Sequence, residues 1–335
     1  MSKRTRTAVI LATFVLGLAV AGTALGKQLD GRTILKNMLE AEGRAAFTAH
    51  QVTSIAWGPA VTSEQIVYRA GFKGMRTEYI APEALRGEIM ADDGRVLAHL
   101  IPKAKVLRMC PSRLAHLKMR TEQAAQGFAR GNLTIELVGR DKIAGRTAYV
   151  VEARPKQRNQ GPTRKFWVDT DKWVKLKTED VRPDGTVAST SYYTKINFTD
   201  AIPDRKFKIE PPAGVRVEHE VAQPPPVPIK EAQRQVDFRI LEPSYLPPGF
   251  KPLGASVVPF RGGKLVAVRY TDGVSSFSLF QTPGRTLDRK FLHRLHKGPV
   301  RPDKGVYSWR HGNLNLTIVG QLPPDQISKV ASSVK

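Results

Sequence analysis

From Phe166 to Phe198 the apolar and polar positions alternate. Val174, Leu176 and Thr178 fall on one side of the pattern, and Lys175, Lys177 and Glu179 fall on the other. A period of two with one apolar side predicts an antiparallel strand covered on a single face. Asp184-Gly185 divides two such runs, Trp173–Val181 and Thr186–Phe198. Asp-Gly between β-rich runs predicts a hairpin of type I′, whose two central residues need positive φ. Phe166-Trp167-Val168-Asp169 reads as the strand before, turning over Asp169–Lys172, so the three strands form a meander. The same rhythm runs upstream through Phe47–Trp57, Val61–Ala70, Phe72–Ile80, Ala84–Ala91, Arg95–Ile101 and Lys105–Met109, with a second Asp-Gly turn at Asp93-Gly94. It resumes over Leu133–Val138, Ala148–Ala153 and Thr163–Val168, with Gln157–Pro162 as a loop. Short β-runs separated by turn residues at this spacing predict an antiparallel sheet or barrel.

Two stretches switch to a helical period. Leu29–Ala46 carries the stripe Ile34, Leu35, Met38 and Leu39, with Asp30 as N-cap and Gly43 as stop. Pro111–Arg130 interrupts the β pattern with Leu114, Leu117, Ala124, Ala125 and Phe128, with Pro111 at the first helical position and Gly131-Asn132 as stop.

Beyond Val217 the pattern breaks. Pro224-Pro225-Pro226-Val227-Pro228 makes His219–Gln235 a polyproline spacer. A second unit then begins at Val236, entered through Leu241–Lys251. Leu253–Arg261 and Lys264–Thr271 flank Gly262-Gly263, and Asp272-Gly273 turns into Val274–Gln281. Thr286–His296 reads as a helix, Asn313–Val319 as a strand and Pro324–Val334 as a final helix. The expected division is a signal peptide over 1–26, a first domain over 27–218, a linker over 219–235 and a small α+β domain over 236–335.

The N-terminus adds a compartment. Lys3, Arg4 and Arg6 precede the apolar run Ala8–Ala21, and Ala24-Leu25-Gly26 supplies small residues for cleavage, the form of a secretory signal peptide. The run is shorter than the roughly 20 residues that span a bilayer comfortably. The expectation is a soluble, exported chain, periplasmic or otherwise extracytoplasmic. Cys110 is the single cysteine, so no intrachain disulfide can form, and a buried or incidental thiol is the preferred reading. The formal net charge of +23 points to anionic partners such as an envelope surface, and the export signal disfavours nucleic acid. Most basic residues are spread along the chain, as a general Arg bias would also give.

The chain has no paired cysteines, no zinc-protease or nucleophile-elbow motif and no phosphate loop. His293 and His296 sit three residues apart, but basic neighbours would repel a cation, so they read as surface. Asp169 with Asp171, and Asp92 with Asp93, are accounted for by turn chemistry. The expectation is a chain that is not an enzyme, with no cofactor and no metal. Trp57, Phe166, Trp167, Trp173, Tyr192, Tyr193 and Phe198 are core residues by default, and Phe166 and Trp167 must point to opposite faces.

Several runs carry a resemblance. W-V-D, an alternating strand, D-G, Y-x-x-I-x-F and I-P-D-x-x-F-x-I-x-P-P-x-G over about residues 165–217 resemble the closing strands of the LolA/RseB-like lipoprotein-carrier fold. The first helix, I-L-x-x-M-L-x-A, and the run M-R-T-E-Y-I-A-P extend the likeness upstream, although His99 and Leu100 stand where an aromatic is expected before the proline. Y-L-P-P-G-F, then V-x-Y-T-D-G-V-S-S-F-S-L-F, resembles the C-terminal domain of MucB/RseB proteins. The join of the two halves resembles the MucB/RseB family. The resemblance implies an α+β fold: a half-open antiparallel β-barrel plugged by helices, then a smaller α+β domain. It implies a regulator that binds the periplasmic region of a membrane anti-sigma factor, shields it from proteolysis and is released by lipid or an acylated ligand. The rivals are a lipoprotein or lipid carrier of LolA type and a basic envelope-binding protein. The apolar cavity is expected to be lined from Leu35, Met38, Leu100, Leu107, Met109, Leu117, Phe128, Phe166, Trp167 and Tyr192.

Overall fold

The computed structural model describes residues 29–56, 60–129, 131, 133–156, 162–219, 226–260, 263–272, 275–284, 306–320 and 322–335. The expected signal peptide, Trp57, the helix over Thr286–His296 and its two histidines lie outside them. Among the described residues no helix is long and apolar enough to cross a membrane.

The chain opens with helix α1 (Gly31–Glu42). Asp30 caps it as the sequence predicts, its carboxylate accepting the Thr33 N–H at 2.7 Å. Six strands follow: β1 (Ala46–Ile55), β2 (Val61–Ala70), β3 (Gly74–Ala81), β4 (Ile89–Asp92), β5 (Val96–Ile101) and β6 (Val106–Pro111). Helix α2 (Leu114–Ala129) precedes β7 (Leu133–Ile143), β8 (Arg146–Pro155), β9 (Thr163–Asp169), β10 (Lys175–Val181), β11 (Val187–Phe198) and β12 (Arg216–His219). These strands form one sheet of twelve, in the order β12-β6-β5-β4-β3-β2-β1-β11-β10-β9-β8-β7. Its end strands do not pair with each other, so the sheet does not close into a barrel. All its pairings are antiparallel except that of β12 with β6.

A second sheet contains β13 (Lys251–Phe260), β14 (Gly263–Thr271), β15 (Ser276–Pro283), β16 (Val306–His311) and β17 (Leu314–Gly320), in the order β13-β14-β15-β17-β16. The short helix α3 (Ile229–Gln233) packs beside β13, and α4 (Pro324–Ser332) buries Ile327, Val330 and Ala331. The two sheets have separate cores. Ile34, Leu35, Met38, Phe128, Leu133, Val151 and Phe166 lie between the large sheet and its two helices. Tyr270, Phe277, Leu279, Leu316 and Ile318 anchor the second core. The fold class is therefore mixed α+β, dominated by sheet.

Local chemistry departs from expectation at five places. Ala84–Ala91 is not a strand throughout. The N–H groups of Leu85 and Arg86 return to the Pro82 carbonyl, Gly87 takes φ +84°, and pairing begins only at Ile89. Pro111 ends β6 instead of opening α2. The helix starts where Leu114 N–H donates to the Ser112 hydroxyl at 3.1 Å and Arg113 N–H to the buried Asp92 carboxylate at 2.8 Å. The Asp184-Gly185 hairpin forms, but not as type I′. Gly185 alone takes positive φ, and the Asp184 carboxylate accepts the Thr186 N–H at 2.9 Å and its hydroxyl at 2.6 Å. Strands β12 and β16 carry no period long enough to read. The expected spacer is also shorter at its C-terminal end. Val227 pairs with Ala255 and Ala232 is fully buried, so this stretch packs on the second sheet.

Candidate functional site

Helix α1 lies against β7, β8 and β9 and against α2. Arg32 ties the helices together, donating to the Phe128 carbonyl and, at 2.9 Å, to the Leu133 carbonyl. On the sheet below, Phe166 points toward the helices and meets Phe128 edge-on at 6.3 Å. A cleft of about 380 Å³ opens beside this contact, within the roughly 300–1,000 Å³ usual for ligand sites. Met38, Leu39, Leu117, Phe128 and Phe166 make its apolar wall. The second sheet makes the facing wall with Leu253, Arg269, Thr271, Ser275, Ser276 and Ser278.

Charge enters the cleft already paired. Arg164 grips Asp180 through both carboxylate oxygens, and the Ser189 hydroxyl adds a hydrogen bond to the same group at 3.1 Å. Lys175 reaches Glu42 of α1 at 3.0 Å. The site therefore offers an apolar wall, a hydroxyl-rich wall and cations paired with carboxylates.

The sequence-predicted lining splits in two. Met38, Leu117, Phe128 and Phe166 come together in the cleft, with Leu35 fully buried in the same core. The other five do not join them. Strand register places Leu100, Leu107 and Met109 on the opposite face of the sheet, where Ile209 and Val215 cover them. Trp167 and Tyr192 lie opposite Lys177 in the ladder, on that same outward face. The Lys177 ammonium sits 4.2 Å over the Trp167 ring, and the indole N–H donates to Asp141 at 2.9 Å. Alternation fixes that Phe166 and Trp167 diverge but not which one meets the helices.

Sequence reading missed Arg164, Lys175, Glu42, Thr121 and all of the facing wall. The serine-rich run Ser275-Ser276-Phe277-Ser278 was the available signal: its serines face the cleft while Phe277 is buried behind them. Asp169 and Asp171 prove to be a turn, as expected. Asp169 accepts the N–H groups of Asp171 and Lys172 and the Arg146 guanidinium. Burial works to raise the Asp169 carboxyl pKa, but these hydrogen bonds outweigh it and hold the group below the usual carboxylate range.

The class is an open, helix-covered twelve-stranded sheet accompanied by a second, five-stranded sheet with its own core. No family model matches the chain. Two curated proteins show sequence similarity. An uncharacterized protein of Methanocaldococcus jannaschii is 33% identical over 33% of this chain and 31% of its own length. The sigma factor AlgU regulatory protein MucB of Pseudomonas aeruginosa is 26% identical over 60% of each chain. These matches span less than two thirds of either relative. Among solved structures, the Pseudomonas aeruginosa MucA/MucB complex superposes with a TM-score of 0.60 at 17% identity, over 91% of this chain and 98% of that one. MucB in complex with MucA(peri) gives 0.57 at 18% identity over the same shares, and MucB alone gives 0.53 at 19% over 91% and 97%. The chain shares the fold of MucB.

Proposed function

We propose that this chain is an exported, non-enzymatic regulator that binds the periplasmic segment of a membrane anti-sigma factor and lets go when an acylated ligand occupies its cleft. The observation that carries this reading is the likeness to MucB across both units, including MucB held in complex with MucA(peri). The cleft supports the second half of the reading, because its two walls come from different sheets. A ligand there changes the relative energy of the two units, and a partner bound to both feels that change. By linkage, a ligand that prefers the unbound arrangement weakens the partner by its differential affinity. A bare lipid carrier needs the large sheet and its helices alone, so the facing wall favours the regulator.

The acyl chain lies along Met38, Leu117, Phe128 and Phe166, where each buried methylene contributes about 0.8 kcal/mol. The basic surface holds an anionic headgroup at the rim. Native mass spectrometry with a palmitoylated lipopeptide is expected to show a one-to-one adduct and loss of a bound hydrophobic dye. No adduct and no dye displacement would remove the acyl half of the proposal. The export signal and the domain division complete it. The first domain ends near residue 218, and the second, with its packed approach from Val227, follows. Calorimetry is expected to resolve two unfolding transitions, and a single two-state transition for the whole chain would contradict that division.

A further inference from the structure

The face of the large sheet that turns away from α1 and α2 is only partly covered. Strand register sets Thr48, Tyr68, Arg76, Ala91, Ala98 and Met109 in one row across it, because residues directly opposite in antiparallel strands share a face. The chain after β11 crosses this face on its way to β12. Its later part covers the far end of the row, where Ile209 and Val215 pack on the cluster of Ala98, Leu100 and Leu107. Phe207 lies so close to Gly74 that a Cβ there would stand 2.3 Å from its ring. The near end of the row stays open. A cavity of about 540 Å³ lies there, with Thr48, Tyr68 and Arg76 from the sheet on one side and Ile202, Pro203 and Arg205 from the crossing segment on the other. A second cavity of about 500 Å³, at the edge where α1 ends, shares Thr199 with the first and is lined by Arg44, Lys172 and Phe198.

The charge in this groove is lopsided. Five cations line the two cavities, Arg44, Arg76, Lys172, Arg205 and Lys206, against the single carboxylate of Asp200. Glu78 stands beside them and is shared, 2.6 Å from Arg76 Nε and 3.2 Å from Lys206 Nζ. Burial works to raise the Glu78 carboxyl pKa, but these two cations outweigh it and hold the group below the usual carboxylate range. One carboxylate therefore answers two cations. Both are also fixed in place. Arg76 donates to the carbonyls of Lys206 and Lys208 at 3.2 and 3.3 Å, and the Lys206 ammonium lies 3.9 Å over the Tyr68 ring. Among the described residues, no carboxylate pairs with Arg44, Lys172 or Arg205. A groove lined by fixed charge of one sign focuses its field and gathers the opposite charge.

We propose that this groove docks an acidic stretch of a partner polypeptide, its carboxylates on Arg44, Lys172 and Arg205 and an apolar side chain between them against Ile202 and Pro203. A free inorganic anion would use the cations but not the apolar wall, and a neutral peptide would leave the cations unanswered. The groove shares no lining residue with the cleft between the two sheets, so it stands or falls apart from what that cleft binds.

The test is fluorescence anisotropy of a labelled peptide that repeats Glu-Gly-Leu, titrated with the full mature chain. The wild-type protein is expected to bind it at least about tenfold more tightly than a counterpart with Gln in place of each Glu. The double variant Arg44→Glu/Arg205→Glu is expected to lose at least about tenfold in affinity for the acidic peptide. Both positions are exposed, so the fold should be unaffected, and thermal unfolding checks this. The control, Lys36→Glu/Lys118→Glu, changes the net charge equally on exposed positions of the two helices and is expected to stay within about twofold of wild type. Equal losses in the two double variants would reduce the binding to general attraction and overturn the proposal, as would equal affinity for the Gln peptide or no binding at all. Phosphatidylglycerol vesicles are sedimented with the same proteins. Vesicle binding that only the groove variant abolishes, without peptide binding, would assign the surface to a membrane and also overturn it.

Discussion

Asp169→Asn is expected to lower the unfolding free energy by about 2–3 kcal/mol at neutral pH. The Asp169 side chain is fully buried, while that of Arg146 remains 29% exposed. That exposure screens the pair and holds the expected loss below the roughly 3–5 kcal/mol found for breaking fully buried ion pairs. The substituted amide retains an oxygen for the Asp171 and Lys172 N–H groups, so the loss comes mainly from the Arg146 contact. Its pH dependence follows from the depressed pKa. A carboxyl whose native pKa lies below its unfolded value, about 3.9, contributes fully above that value and loses its contribution as pH falls through the native pKa. Denaturant unfolding should show a gap between wild type and variant that is constant above about pH 5 and shrinks below about pH 4. A gap independent of pH would contradict this assignment.

Leu117→Asp is expected to weaken acyl binding by at least about thirtyfold, because it sets a carboxylate against the methylenes of the ligand. Leu117 is half-buried in the apolar wall on α2, so the fold should tolerate the change better than a substitution at Phe128 or Phe166. Dye displacement by a palmitoylated lipopeptide measures the affinity, and thermal unfolding checks that the variant remains folded. A folded variant with unchanged affinity would move the ligand out of this cleft.

The strands are legible because one-sided burial writes a period of two. Val61–Ala70 is legible to the residue, and the Asp30 cap and Gly43 stop of α1 are equally local. The assignment of faces is not legible. Phe166 and Trp167 are equivalent in an alternating pattern, and only the docking of α1 and α2 separates them. The residues Leu100, Leu107 and Met109 show the same limit, since the segment bearing Ile209 and Val215 crosses their face from far along the chain. Irregular pairing adds a second limit. Leu176 is inserted between the Lys175 and Lys177 pairings, and Thr194 between those of Tyr193 and Lys195, and no residue type announces such a bulge. The facing wall of the cleft depends on residues far apart in the chain, such as Phe166 and Ser276, coming to one site, which no local pattern records.

The most direct measurement is fluorescence anisotropy of the labelled periplasmic segment of the anti-sigma factor from the same genome, titrated with the purified mature chain. The expected result is a saturable complex that a palmitoylated lipopeptide dissociates. Leu117→Asp is expected to bind the segment still but to respond to the lipid no longer. A segment that never binds the folded protein would contradict the regulatory function, and a complex indifferent to lipid in the wild-type protein would contradict the coupling.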